Sequence, residues 1–303
     1  MRSKLLVLTI ASLALGVVLS GTSYAMPSDA DSDTTQLTKV FPAEMSLPPD
    51  VGGVPLTFGF GATTDYIIDR NLDADDAGLS KSDLTDNVWT GGNIYYDPHE
   101  KVHLNLFLGT AWLKVGNVAL QNSSGTTVML NTDSAFAIGG SGKVDVTQFQ
   151  VIEGQPQMNL FASGGYRFTN PDVDTIGNGG GFNATVFDLN VEVNEWNATL
   201  GVSQRINDPM KLWFGLEGWN FAWVPYVGVQ YSDLDLNISG TSDLPNTSIA
   251  NRQQVQTGHR NAEDVVNVIT GMQIIAFGDK LSIGLEGRFV SETAVSLNGH
   301  FRW

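Results

Sequence analysis

Histidine and acidic side chains are the residues of this sequence whose types could support chemistry. The histidines are His99, His103, His259 and His300, and a histidine beside a serine or a carboxylate can act as a general base. The hydrolase motif G-x-S-x-G does not occur, and the one H-E-x-x-H run, from His99 to His103, leads into a predicted strand instead of lying on the helix that its zinc chemistry needs. Cysteine is absent, which excludes disulfides and thiolate metal sites. We therefore interpret His259 as a solvated loop residue and expect no enzymatic activity, no cofactor and no metal site.

One acidic stretch has a spacing partly similar to that of a calcium-binding loop. The glycine that such a loop needs at its sixth position is Ala74, and its bidentate glutamate is replaced by Ser80. The sequence therefore predicts a solvent-facing acidic loop over 65–86, with weak calcium binding as the alternative. The candidate oxygen ligands are Asp69, Asn71, Asp73, Asp75 and Asp76.

Charge and composition exclude several classes of protein. The formal net charge is −16 at pH 7, and nucleic-acid binding needs a clustered basic surface instead. Only 16% of the residues are charged, against roughly 25% in soluble domains, while 42% are hydrophobic. Few charges with ordinary hydrophobicity suit a wall that has lipid on one side and water on the other.

The first 25 residues are typical of a secretory signal peptide. Arg2 and Lys4 precede an apolar core, and Ser23-Tyr24-Ala25 fits a cleavage site. Removing these two cations would change the net charge from −16 to −18. Residues 26–53 are rich in aspartate and proline, which predicts a flexible periplasmic lead-in. The remaining residues, 54–303, form the predicted ordered part, and they contain no apolar run of about 20 residues, as a membrane helix would need.

Period-two alternation marks the predicted strands in this ordered part. The longest clean case runs from Val102 to Trp112, where Leu104, Leu106 and Leu108 share one face. The closing segment, 292–303, alternates in the same way and ends in Trp303. Long polar segments and short turns follow one another along the chain, as in an up-and-down antiparallel sheet.

The alternation changes phase near Asn194 and Glu195, and this decides the predicted number of strands. Leu189, Val191 and Val193 are odd-numbered, whereas Trp196 and the apolar residues after it are even-numbered. A β-bulge there gives about ten strands. A tight hairpin there, with one more strand near Thr126 to Leu130, gives twelve, and eight is a further alternative.

The signal peptide, the alternating strands of about ten residues and the aromatic last residue together resemble bacterial outer-membrane β-barrels. The resemblance covers about residues 54–303, and the runs 164–168 and 225–229 are similar to strand motifs of that group. It implies an all-β, transmembrane, antiparallel up-and-down β-barrel in the outer membrane of a Gram-negative bacterium. It also implies contact with outer-membrane lipid and lipopolysaccharide, and recognition of the C-terminal strand by the barrel-assembly machinery. A secreted β-sandwich is the soluble alternative.

In such a barrel the Leu, Val and Phe rows would face lipid, and the opposite rows would face the lumen. Aromatic side chains near strand ends are predicted at the lipid boundary, namely Tyr96, Trp112, Tyr166, Phe168, Trp196, Phe301 and Trp303. The inward rows favour a passive, porin-like channel for small polar solutes. A non-conducting structural or cell-surface barrel, acting through acidic extracellular loops, is the alternative. The predicted pore-lining residues are Lys143, Asp145, Arg167, Arg205, Glu286, Arg288, His300 and Arg302.

Overall fold

The computed structural model of the chain is built of β-strands throughout the part that it describes. In that part, no helix is long and apolar enough to cross a membrane. The predicted signal peptide, the predicted lead-in and Trp303 lie outside the described residues. The described ranges are 57–74, 81–99, 101–120, 127–149, 157–177, 183–185, 188–207, 221–240, 254–263, 265–277 and 280–302.

Sixteen strands are found in these ranges. Their bounds are β1 Thr57–Ala74, β2 Ser82–His99, β3 Val102–Trp112, β4 Lys114–Ala119, β5 Thr127–Thr132, β6 Ala135–Phe149, β7 Met158–Thr169, β8 Val173–Gly177, β9 Asn183–Thr185, β10 Leu189–Gln204, β11 Ile206–Asn207, β12 Phe221–Gly240, β13 Gly258–Ala262, β14 Val266–Ala276, β15 Leu281–Val290 and β16 Glu292–Arg302.

Ten of these strands close into one antiparallel barrel. The neighbours around it are β1, β2, β3, β6, β7, β10, β12, β14, β15 and β16. The barrel closes because β1 pairs on one side with β2 and on the other with β16, for example Gly61 with Asn93 and with His300. The predicted all-β barrel of ten strands is therefore confirmed.

The two ends of the barrel differ in the length of their connections. At one end β2 passes to β3 and β14 passes to β15 by short turns, and β1 begins there; we call it the turn end. The opposite end carries 113–134, 170–188 and 241–265, and we call it the loop end. One short connection, through Ser291 between β15 and β16, also lies at the loop end.

A second and smaller ring of strands stands on the loop end of the barrel. In the barrel, β14, β15 and β16 lie between β12 and β1. At the loop end β13 takes their position and pairs with both β1 and β12. In the barrel, β3, β6 and β7 lie between β2 and β10. At the loop end β4, β5 and β8 take their position, with β4 paired to β2, β5 to β4 and β8 to β5. The bridge between Asp172 and Asn190 and the 2.9 Å hydrogen bond from Val191 N to Pro171 O join this side to β10. We call the closed set β1, β2, β4, β5, β8, β10, β12 and β13 the upper ring.

Strand β10 shows how the side-chain pattern differs between the barrel and the upper ring. Toward the turn end its inward residues are polar, including Thr199 and Ser203, and Leu200 points outward with 57% exposure. Toward the loop end its inward residues are apolar, and Val191 is fully buried. The strand keeps one continuous register with both neighbours through Asn194 and Glu195. The expected bulge or hairpin at this point is therefore wrong.

The phase change instead reflects a change of surroundings on both faces of an unbroken strand. Around the barrel, apolar side chains cover the outside; around the upper ring, they fill the inside. Strand β12 changes in the same way, because Val229 and Tyr231 point outward whereas Leu234 and Leu236 are buried inside. An interior ringed by about eight strands has room only for its own side chains. The rows Leu189, Val191, Val193 and Leu234, Leu236, Ile238, expected on the lipid face, are accordingly inside.

Two further predicted boundaries need correction. The loop expected over 65–86 contains the end of β1 and the start of β2, which pair from Asp65 to Leu72. Polar residues such as Asp69 and Asn71 form strand there because their side chains point outward into water while Ile67 and Leu72 fill the upper ring. The extra strand expected near Thr126 to Leu130 does exist as β5, but it belongs to the upper ring.

The outside of the barrel carries a broad apolar belt. Leu104, Leu106 and Leu108, predicted to face outward, are 42%, 42% and 39% exposed. A contiguous exposed surface of this kind is what a lipid-facing wall requires. The barrel wall between the upper ring and the turn end is therefore the transmembrane part. Other members are Phe60, Ile94, Ile138, Val144, Val229, Met272, Ile274, Ile283, Leu285, Leu297 and Phe301.

Aromatic rings mark the loop-side edge of this belt. Trp196 and Tyr231 lie with ring centroids 5.0 Å apart on the outer surface where the pattern reverses. Nearby, the Tyr66 hydroxyl donates to Asp86 Oδ1 at 2.7 Å and the Tyr166 hydroxyl donates to Asn194 Oδ1 at 2.5 Å. Rings with an apolar body and a polar tip favour such a boundary.

Candidate functional site in the barrel lumen

A polar chamber lies in the middle of the lumen. Its volume is about 280 Å³. Side chains with amide and hydroxyl groups dominate its wall, including Asn93, Asn105, Asn197, Thr199 and Gln230. They face inward because successive side chains of a strand point to opposite faces, and each of these residues alternates with the outward-facing belt residues of its strand. The chamber is thus a polar space inside a wall whose outside is apolar.

An ion-pair layer closes the chamber on its loop side. It consists of Asp65, Arg70, Arg167, Glu195, Arg288 and Glu292, three cations and three anions. Within it, Arg167 Nη1 lies 2.5 Å from Asp65 Oδ2, and Arg288 also contacts Asp65. Since β7 and β10 are four and five strands away from β1 around the barrel, contacts of Asp65 and Arg70 with Arg167 and Glu195 cross the lumen.

Further contacts fix this layer in place. Arg70 Nη1 lies 2.8 Å from Glu195 Oε1 and 3.2 Å from Glu292 Oε2. Arg288 Nε lies 2.9 Å from Glu292 Oε1. The Arg167 guanidinium stacks over Trp89, 4.4 Å from the ring centroid. Buried ion pairs of opposite sign offset one another's desolvation only when geometry and hydrogen bonds are good. The layer meets this condition in part, because Arg167 Nη2 and Arg70 Nε have no hydrogen-bond partner among the described residues.

The interior of the upper ring is a dry apolar core. Its residues come from every strand of the ring and from the segments beside them, and Leu72, Val115 and Leu236 have no exposed surface at all. This core stands between the ion-pair layer and the solvent at the loop end. Its other members include Ile67, Leu84, Leu113, Val118, Leu120, Val128, Leu130, Val173, Ile176, Leu189, Val191, Val193, Leu234, Ile238 and Val255.

Arg260 is a buried cation in the upper ring. Its Nε donates to Ser82 Oγ at 2.9 Å, and its other nitrogens donate to the carbonyl oxygens of Gly258 and Gln256 at 3.0 and 3.2 Å. Burial lowers the pKa of Arg260 to about 10, because the charged form loses hydration. The guanidinium therefore serves to join β13 to β2.

A second group of charged side chains lies near the turn end. His103 Nδ1 is 2.8 Å from Asp97 Oδ1, and His103 Nε2 is 3.6 Å from Asp145 Oδ2. Lys143 Nζ lies 2.7 Å from Asp145 Oδ1, and Arg302 Nη1 lies 3.4 Å from Asp97 Oδ2. Side chains from β2, β3, β6 and β16 are thereby tied together.

The predicted pore-lining residues fall into three places. Arg167, Glu286 and Arg288 line the chamber, where the Tyr226 hydroxyl is 2.7 Å from Glu286 Oε2. Nearer the turn end lie Lys143, Asp145, His300 and Arg302, and His300 stacks on Tyr95 with centroids 4.6 Å apart. Arg205 lies between β10 and β11, where its Nε donates to Asn207 Oδ1 at 2.9 Å. That they line a conducting path stays a prediction.

Three acidic residues of the ion-pair layer, Asp65, Glu195 and Glu292, were missed by the reasoning from sequence. The sequence pattern predicts a loop at Asp65 and a bulge or hairpin at Glu195. A signal was present for Asp65 and Glu195. Each is next in sequence to an aromatic residue that faces outward, Tyr66 and Trp196, so each must itself face inward. The cations predicted in the lumen also required anions to balance them.

His259 and the acidic residues of the calcium-like stretch lie away from the lumen. His259 is in β13, half exposed, with Nδ1 3.1 Å from Asp235 Oδ1. Asp69, Asn71 and Asp73 are on β1, while Asp75 and Asp76 lie outside the described residues. Among the side chains that the structure places, no group of three or more His, Cys, Asp or Glu could hold a metal ion.

Comparison with known proteins gives matches among solved structures only. No family model and no curated protein match the chain. The transport unit of the autotransporter AIDA-I from Escherichia coli is similar at 9% identity over 91% of this chain and 97% of that chain, with a TM-score of 0.31. The translocator domain of NalP from Neisseria meningitidis has 10% identity over 91% and 96%, with a TM-score of 0.31. The toluene transporter TbuX from Ralstonia pickettii has 11% identity over 93% and 95%, with a TM-score of 0.30. Similarity this low carries no argument about fold or function, which rest on the strand register and the lumen.

Proposed function

We propose that the chain is an outer-membrane β-barrel that conducts small polar solutes through a narrow lumen, closed at the loop end in this conformation. The apolar belt supports the membrane location, since it would meet water otherwise. The acidic outer surface of the upper ring would then project into water and could contact lipopolysaccharide through bridging cations. Recognition by the barrel-assembly machinery stays a prediction.

The chamber is the observation that carries the channel proposal. A lumen of about 280 Å³ with amide, hydroxyl and charged side chains can replace part of a solute's hydration shell. Passage through the loop end requires the ion-pair layer and the upper ring to open together. The small strand β13 is the element we propose to move, because it is held by short pairings to β1 and β12.

A second candidate is a structural or cell-surface barrel that does not conduct. The dry core of the upper ring favours it, because that core lies directly across the solute path. The two candidates share one fold and one membrane location. They differ in whether the upper ring ever opens.

Single-channel recording in planar bilayers separates the two candidates. We expect the wild-type protein to give discrete current steps, with long closed intervals because the resting state is closed. Absence of steps over a wide voltage range would eliminate the channel and leave the non-conducting barrel.

A disulfide lock tests the proposed moving element. The chain lacks cysteine, so Asp73→Cys with Asn261→Cys introduces one pair at facing positions of β1 and β13, within the Cα separation that a disulfide needs. Oxidation should abolish the current steps and a reductant should restore them. The control pair Leu285→Cys with Leu297→Cys, on β15 and β16, should leave the steps unchanged.

A further inference from the structure

We propose that the chamber is a binding site for one small, uncharged, hydroxyl-rich molecule, such as a monosaccharide. The inference deepens the proposed function by assigning a class of solute to the same lumen. The cavity of about 280 Å³ could hold roughly nine waters at about 30 Å³ each. It lies near the lower limit of roughly 300 Å³ for small-molecule pockets.

Unpaired polar atoms on the chamber wall indicate what the site would recognise. Asn105 Oδ1, Gln230 Oε1 and Arg167 Nη2 are buried, and none has a hydrogen-bond partner among the residues that the structure describes. All three belong to residues that line the chamber. Buried polar atoms without partners are costly. The three atoms are enclosed by protein in this conformation; turned toward the chamber, two carbonyl acceptors and one guanidinium donor would match a molecule whose hydroxyl groups can both donate and accept.

The charges around the chamber favour a neutral molecule. Arg167 and Arg288 are balanced on the chamber wall by Asp65 and Glu286. Asp65 contacts both arginines, and Glu286 accepts a hydrogen bond from Tyr226. An anion or a cation would add a charge without a counter-charge to the chamber, at a desolvation cost.

The rest of the wall provides room and an apolar surface. On β6 and β7 the chamber is bordered by Ser141, Ser163 and Gly165, whose small side chains leave the space open. Phe107 from β3 borders it as well, and an aromatic side chain offers a surface on which the C–H face of a sugar can rest. Polar side chains together with aromatic ones, which also include Trp89 and Tyr166, suit a sugar better than an apolar solute.

The test is calorimetric titration of the refolded full-length mature protein in detergent with glucose, glucuronate and glucosamine. These probes share a ring and differ in charge. We expect saturable binding of glucose and affinities at least about tenfold weaker for both charged probes. Glucose that fails to saturate, as expected of a chamber filled with water only, would overturn the proposal, and so would equal affinity for all three.

Variants of the wall locate the binding. Ser163→Leu should abolish glucose binding by filling the chamber, and Gln230→Leu should weaken it at least about tenfold by removing an acceptor. The control Gln148→Leu changes an exposed glutamine on β6, outside the chamber, and should bind as the wild type does. Retained heat-modifiable migration on gels shows that each variant has folded. Folded Ser163→Leu that binds glucose normally would place the site elsewhere and refute the assignment.

This result is distinguishable from failure of the channel. Saturable glucose binding without current steps would remove the channel and keep the site. Current steps without saturable binding would remove the site and keep the channel.

Discussion

Asp65 is the side chain on which the ion-pair layer depends most directly. It accepts hydrogen bonds from Arg167, Arg288 and the Ser296 hydroxyl, which lies at 2.6 Å. These three partners come from β7, β15 and β16. A single carboxylate therefore holds together strands that are distant along the chain, and it contacts two cations inside the lumen.

We predict that Asp65→Asn destabilises the folded protein by about 3–5 kcal/mol, since removing one partner leaves buried charge uncompensated. Urea-induced unfolding of the refolded protein in detergent measures the loss. The exposed Asp133 provides the control, and Asp133→Asn should change the free energy of unfolding by no more than about 0.5 kcal/mol. Equal effects of the two substitutions would contradict a structural role for the layer.

Strand β10 carries two environments along one continuous element. Toward the loop end its inward face packs in the apolar core; toward the turn end its outward face belongs to the apolar belt. Glu195 and Trp196 stand at the change, one inside in the ion-pair layer and the other outside at the edge of the belt. The same strand therefore needs opposite patterns in its two halves.

Neighbouring positions in the loop-side half should respond very differently to a polar substitution. We predict that Val191→Asn costs about 3 kcal/mol, because it removes an apolar side chain from a dry core and leaves an unpaired amide there. Glu192→Asn, one residue along and facing out, should change stability by about 0.5 kcal/mol or less. Similar costs for both, measured by urea unfolding, would show that the upper ring is not dry inside.

In the half of β10 nearer the turn end, the outward face is the apolar one, so a charged substitution there should be the costly one. We predict that Leu200→Arg destabilises the protein by about 2–4 kcal/mol in lipid vesicles, as expected for a cation on the lipid face near the midplane. Equilibrium unfolding from vesicles measures it. If Leu200→Arg had no effect there, this surface would not be in contact with hydrocarbon.

The whole molecule is a wide barrel joined to a narrower ring. The barrel has apolar side chains outside and polar side chains inside, and the ring has the reverse. The ion-pair layer lies where the two arrangements meet. Among the residues that the structure describes, the loop end is closed by the extended wall strands and the short strands paired to them.

Site-directed spin labelling tests this division along the barrel axis. In vesicles, labels at Leu106→Cys and Leu285→Cys should be more accessible to dissolved oxygen than to a water-soluble nickel chelate. Labels at Asn190→Cys and Asp233→Cys, on the outside of the upper ring, should show the reverse. Chelate access at Leu285 equal to that at Asp233 would place the belt in water and refute the transmembrane assignment.

The sequence by itself indicated the closed barrel and the outward direction of rows such as Leu104, Leu106 and Leu108, and it gave ten as one of three possible strand counts. Period-two alternation is a local property, so it can be recognised without knowing which strands pair. The inward parity of Arg167, Glu286 and Arg288 was also available in this way. Which anions they contact was not, because Asp65, Glu195 and Glu292 meet them only across the lumen.

Only the tertiary structure decided the upper ring and the closure of the lumen. Alternation shows that two faces differ, but it does not show which face meets lipid, water or a packed interior. Leu189, Val191 and Val193 therefore suggested a lipid-facing row when they are core residues. That assignment depends on β13 joining β1 to β12 and on β8 meeting β10, contacts between segments far apart in sequence, and these narrow the ring until only side chains fit inside.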